Sequence, residues 1–194
     1  MSYPGDKYYI DKVINGNRNA FAGLVEKYQN KVYTLSLKIC NRPEDAEEVA
    51  QDSFMKAFRS LSSFKGNSSF STWLYRITYN TAISCVRKKN YKVLQIEDFP
   101  ADASDFLMDE GSEDFAEMEY RLTLLSFALQ KLSADDRAII SLHYLQGLSL
   151  DEIVDIVKLS KSNLKVRLHR AKKKMEETLL ANISVTKEEI YEKV

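Results

Sequence analysis

The sequence has few residues that break or punctuate a chain. Only 6 glycines and 3 prolines occur in 194 residues, which excludes collagen-like, low-complexity and turn-dense architectures. No alternating apolar run bounded by Asn-Gly or Asp-Gly turns is found, so the ordinary hairpin signal is missing. No apolar run approaches the ~20 residues needed to cross a bilayer. The start, Met1-Ser2-Tyr3-Pro4-Gly5-Asp6, has neither the basic nor the apolar part of a secretory signal. The 2 cysteines, Cys40 and Cys85, fit no metal-binding spacing. They read as free thiols, and the chain as cytoplasmic. The 2 histidines, His143 and His169, are far apart in sequence, and there is no phosphate loop, nucleophile elbow or ligand cluster. No enzymatic activity, metal or cofactor is therefore expected.

Net charge is also missing: 28 basic side chains balance 28 acidic ones. A nucleic-acid-binding protein is usually basic, but here the average hides segregation. No acid occurs between Asp52 and Glu97, where Lys56, Arg59, Lys65, Arg76, Arg87, Lys88, Lys89 and Lys92 fall. From Glu97 to Glu119 no Lys or Arg occurs, while acids including Asp98, Asp102, Asp105, Asp109 and Glu110 crowd in. Between Asp155 and Glu176 every charged side chain is again basic. Blocks of one sign imply separate electrostatic tasks.

What is present is helical periodicity. A short helix is expected near residues 6–15. Asn17 is placed to cap a second helix, with Phe21, Leu24, Tyr28, Val32, Leu35 and Ile39 on one face. Pro43 suits the first turn of a third, and Glu44, Asp45, Glu47 and Glu48 favour its positive end. Residues 62–69 read as a loop. A fourth helix from Phe70 to about Lys89 puts Trp73, Leu74 and Ile77 at core spacing. Residues 91–112 hold Pro100, Gly111 and most of the acidic block, which reads as a linker. A second helical domain follows over 113–180. It carries Leu122, Leu125 and Leu129, then a helix capped by Ser133 with Ile139, Ile140, His143 and Tyr144 inward. Residues 181–194 form a polar tail. The predicted fold is all-α, with two helical domains (1–90 and 113–180) joined by an acidic linker.

Three constellations bear on function. Ser149-Leu150-Asp151-Glu152 is a capping box opening a short helix to Val157, and Ser160 caps a longer basic helix. That pair has the shape of a helix-turn-helix. Lys161, Ser162, Asn163, Lys165, Arg167 and Arg170 would face a major groove, while Leu164 and Leu168 hold the helix down. The 70–89 helix and the preceding loop mix Ser68, Tyr75, Tyr79 and Asn80 with Arg76, Arg87 and Lys88. Cations along a backbone and groups that receive unstacked bases suit single-stranded DNA. Trp73 reads as core. Third, Asp45, Glu48 and Asp52 lie on the helix face opposite its apolar stripe, by themselves no more than a solvated acidic surface. The residues alone leave open a plain duplex-binding regulator with a helical sensor domain.

Taken in order, the stretches 45–54 (DAEEVAQDSF), 70–80 (FSTWLYRITYN) and 164–171 (LKVRLHRA) resemble the bacterial sigma-70 family, in its small extracytoplasmic-function group. The resemblance spans roughly residues 21–174 and implies a sigma factor with core RNA polymerase, promoter DNA and an anti-sigma protein as partners, monomeric when free. It implies that Asp45, Glu48, Gln51 and Asp52 dock on the polymerase. It further implies that the 70–89 helix opens the −10 element, with Asn80 and the 62–69 loop taking a flipped base. The helix-turn-helix would read the −35 element, and the linker would thread the RNA exit path. Ser84 stands where the family often has Asp. Lys158 stands in the turn where it often has Gly, which requires a strained or different turn.

Overall fold

The computed structural model describes residues 5–93 and 113–191, apart from the side chains at 90–93, 113–117, 119 and 182–191. All regular structure among them is helical. Residues 94–112, most of the acidic linker expected over 91–112, lie outside the described residues.

The N-terminal domain comprises α1 (Asp6–Ile14), α2 (Phe21–Cys40), α3 (Pro43–Ser60) and α4 (Phe70–Val93). On α2, Leu24, Val32, Leu35 and Ile39 are fully buried, as spacings of three and four residues demand. Its entry differs from expectation. Asn17 makes no side-chain cap, and a 3₁₀ turn (Arg18–Ala20) precedes the helix instead. α2 ends on Asn41 in the left-handed region (φ 63°), a conformation Asn tolerates. Pro43 then opens α3 in its first turn, as expected. The buried face of α3 includes Ala46, Ser53 and Ala57, small side chains that let α2 and α4 approach. At Gly23 a Cβ would come within 2.2 Å of the Tyr9 ring, so any larger residue there must displace the Tyr9 side chain that seats α1 on α2. Cys40 is a free, buried thiol pushed up to about 12 by that burial, with smaller contributions from Cys85 and Asp45. α4 runs past Lys89 to Val93, longer than expected, because no Pro or Gly occurs before Pro100.

The C-terminal domain comprises α5 (Glu113–Gln130), α6 (Ala134–Ile140), α7 (Leu150–Val157) and α8 (Lys161–Tyr191). Ser133 caps α6 through the Asp136 N–H at 3.2 Å, as its position predicts. α6 continues as one turn of π-helix, Ser141–Leu145. The wider turn shifts the register: Ser141 and Leu142 face the core, while Tyr144, expected inward, is 53% exposed. α8 continues through the expected tail as far as Tyr191.

The two domains pack on each other. Leu35, Ile39, Trp73 and Leu74 of the first share one apolar cluster with Ile139, Leu142, Ile153 and Leu164 of the second. α2 meets α6, and α4 meets α7.

Lys158 ends α7 at φ 57°, ψ 39°, so the expected strain is present. Left-handed geometry costs a residue with a Cβ about 1–2 kcal/mol. Lys158→Gly is expected to stabilise the chain by roughly 1 kcal/mol after its larger unfolded-state entropy is counted. A higher midpoint in urea unfolding checks this.

Candidate nucleic-acid interface

The helix-turn-helix is built from its caps. The Ser149 hydroxyl accepts from the Glu152 N–H at 3.3 Å, and the Glu152 carboxylate accepts from the Ser149 N–H at 3.0 Å. The Ser149 N–H, then its hydroxyl, holds the Glu152 carboxyl below its usual range. A depressed folded pKa contributes stability above the ordinary carboxylate range, lost as pH falls through the folded value. Ser149→Ala is expected to cost about 1 kcal/mol at neutral pH. The deficit shrinks as Glu152 protonates, and urea melts of both proteins from pH 7 down to acid check it.

After the Lys158 turn, the Ser160 hydroxyl accepts from the Asn163 N–H at 3.3 Å and starts α8. Leu164 is fully buried beneath this end. Lys161, Ser162, Asn163, Lys165 and Arg170 are exposed, as expected of a groove-reading face. Lys161 also reaches Asp151 at 2.8 Å. Arg167, expected to point outward, is half-buried. Its guanidinium binds Asp136 at 2.7 Å and ties α8 to α6.

The α4 face is divided. The Ser69 hydroxyl accepts from the Thr72 N–H at 3.1 Å and starts the helix. Trp73 packs against Phe64 and Phe70 at ring distances of 5.2 and 5.7 Å, the core role its spacing predicts. Asn80, Arg87 and Lys88 are exposed. Ser68 and Arg76 line a cavity of about 250 Å³ with Lys65, Asn67 and Thr72, and Asp155 of α7 forms part of its wall. Two residues expected to meet DNA are covered instead. Tyr75 is 2% exposed, and its hydroxyl, pushed up to about 12 by burial, donates to Gln146 at 3.0 Å. Tyr79 donates to Asp135 at 2.6 Å; burial, then Asp135, pushes its hydroxyl upward.

The acidic face of α3 is also only partly as expected. Glu48, Gln51 and Asp52 are exposed, whereas Asp45 is buried and ion-paired to Lys89 of α4. That hydrogen bond is the main cause of the raised Lys89 pKa. Glu48 and Asp52 instead border a groove of about 340 Å³ with Lys56, Ser84 and Lys88.

Sequence reasoning missed two features. Arg137 donates to the carbonyls of Lys38 and Ile39 at the carboxyl end of α2, at 2.8 and 2.6 Å. Only its neighbourhood with capping Ser133 could have drawn notice. An apolar groove of about 630 Å³ runs between α5 and α8, lined by Leu125, Leu129, Ile140, Tyr144 and Met175 among others. The leucine stripe of α5 signalled it; Leu122 and Leu125 are 55% and 41% exposed.

Residues 24–91 match the Sigma-70 region 2 family, and residues 122–175 match Sigma-70, region 4. The ECF RNA polymerase sigma-E factor of Haemophilus influenzae is 33% identical over 88% of this chain and 93% of that protein. The ECF RNA polymerase sigma factor SigW of Bacillus subtilis is 31% identical over 89% of this chain and 96% of its own. Among solved structures, the sigma factor RpoE in complex with the anti-sigma factor NepR from Bartonella quintana aligns with a TM-score of 0.68 and 26% identity, covering 82% of this chain and 96% of that one. CnrH, solved in complex with the cytosolic domain of CnrY, shares the fold with a TM-score of 0.65 at 23% identity, covering 91% of this chain and 97% of that one. The chain has the two DNA-binding regions in family order, on the helices that geometry marks out, and it belongs to the extracytoplasmic-function group of sigma-70 factors.

Proposed function

We propose that this protein binds core RNA polymerase in the cytoplasm and directs it to promoters, reading −35 DNA with α8 and opening −10 DNA with α4. It has no catalytic step of its own. The observation that carries the reading is the exposed face of Lys161, Ser162, Asn163, Lys165 and Arg170, held rigidly by buried Leu164. A helix N-terminus presented in this way fits a major groove. Asn163 supplies a base-reading amide, and the cations supply phosphate contacts. Arg167 acts through Asp136, setting the tilt of α8. On α4, Asn80, Arg76, Arg87 and Lys88 hold the opened strand, and the cavity beside Ser68 takes an unstacked base. Tyr75 and Tyr79 join them only once the domains part. Glu48, Gln51 and Asp52 dock on the polymerase, and Asp45 positions α4 through Lys89. The apolar groove between α5 and α8 fits a helix of a protein partner, including an anti-sigma protein.

Promoter-dependent transcription tests the function. Purified core polymerase with this chain should give transcripts from a subset of a promoter-fragment library, and no stimulated transcript from any fragment contradicts it. Lys165→Ala with Arg170→Ala should lower −35 duplex affinity and reduce the salt slope by roughly 2 if both meet phosphates. An unchanged slope refutes their assignment.

A further inference from the structure

The fold brings the 2 cysteines of the chain together, although they are far apart in sequence. Cys40 is the last residue of α2 and is 8% exposed. Cys85 lies on α4, is half-buried, and lines the groove that Glu48, Asp52 and Lys88 also border. α2 and α4 pack on each other, and the two thiols lie within hydrogen-bonding reach. We infer that Cys40 and Cys85 form a thiol-oxidation site, where a low-molecular-weight disulfide converts the pair to a reversible intramolecular bridge. The site depends on no polymerase contact.

A disulfide needs Cα atoms about 4.4–6.8 Å apart, with the Cβ atoms facing. Thiols in side-chain contact from two packed helices start near that arrangement. Cys40 can supply the remaining adjustment, because it ends its helix and Asn41 after it turns left-handed at φ 63°. Cys85 supplies access, since it is the thiol that lines the groove. Burial is the main cause that raises both thiols; Asp45 adds to it and Lys89 opposes it. The pair is therefore held as thiols in a reducing compartment and reacts under sustained oxidant.

The exchange has two steps. Cys85 releases its proton to solvent and its sulfur attacks the reagent disulfide. The reagent S–S bond breaks, one reagent thiolate leaves and takes up a proton, and a mixed disulfide remains on Cys85. Cys40 then gives up its proton and attacks the Cys85 sulfur, expelling the second reagent thiol. Two protein thiols are oxidised and one reagent disulfide is reduced to two thiols. The bridge closes a loop that contains the whole of α3. Such a cross-link restricts the unfolded chain, so the oxidised protein is the more stable form.

The full chain is incubated with oxidised glutathione under native conditions, then followed by thiol counting, intact mass, peptide mapping and thermal unfolding. Both thiols should disappear, the mass should fall by two hydrogens, and the Cys40 and Cys85 peptides should be joined within a monomer. Dithiothreitol should restore both thiols. The unfolding midpoint of the oxidised chain should lie roughly 5 °C or more above that of the reduced chain. Cys40→Ser should stop the reaction at a glutathione adduct on Cys85, and Cys85→Ser should leave Cys40 unmodified. Mapping of the wild type needs neither variant, so a variant that fails to fold leaves the test intact. The site is overturned by a lasting glutathione adduct on Cys85 of the wild type or by a disulfide between two chains. Two thiols that persist until urea unfolds the chain overturn it as well. A bridged chain that melts no higher than the reduced one overturns the stabilising role.

Discussion

Leu164→Asp is expected to destabilise the chain by at least about 4 kcal/mol and to abolish promoter recognition. Leu164 is fully exposed to neither solvent nor a polar partner: it is 0% accessible and belongs to the apolar cluster shared by both domains. Removing its side chain alone costs about 2–5 kcal/mol by lost transfer and the cavity left. A carboxylate in its place must also be desolvated without a partner or take up a proton. The loss falls on the helix-turn-helix, because Leu164 is the first buried residue of α8 and lies under the groove-reading face. Urea unfolding gives the stability change, and −35 duplex binding gives the functional one. A change below about 1 kcal/mol would contradict the packing account, since surface substitutions alone stay near ±0.5 kcal/mol.

The second large effect is electrostatic. Glu48→Lys combined with Asp52→Lys should lower affinity for core polymerase by about 100-fold or more, since like charges placed across an interface cost several kcal/mol. Both side chains are exposed and border the same groove. The fold should tolerate the change, because neither residue is buried. Glu47→Lys is the control: it is equally exposed but does not line that groove. Co-purification with core polymerase checks the pair, and retention equal to wild type rejects the docking face. Asp45→Lys would be a poorer probe. It breaks the buried pair with Lys89, and destabilisation and lost docking could not be told apart.

Where local rules dominate, the sequence was a sufficient guide. The Ser133 and Ser149 caps, the Pro43 start and the strained Lys158 turn are each set by a few adjacent residues, and each stands where expected. The Leu24 to Ile39 stripe was legible for the same reason. Expected exposure and structure part where a long-range partner decides. Asp45 looked like its exposed neighbours because nothing nearby in sequence announces Lys89. Arg167 looked fully exposed because nothing nearby in sequence announces Asp136, which pairs with it from another helix. Tyr144 was misplaced by a π turn, which shifts register with no residue type to mark it. Tyr75 and Tyr79 were assigned to a surface that the other domain covers, and domain packing leaves no periodic signal. The apolar stripe of α5 shows the converse: periodicity identifies a face that repels water, but not whether the chain itself covers it.

In the proposed function one chain reads promoter DNA twice, as duplex with α8 and as opened strand with α4. Footprinting of the complete complex with core polymerase on a transcribed promoter, with thymine reactivity to report unpaired bases, tests it most directly. The account predicts protection at two separated segments, with reactive thymines only in the one nearer the transcript start. Asn80→Ala should remove that reactivity while leaving the upstream protection in place. A single protected segment that stays fully paired, in the presence or absence of polymerase, would contradict it.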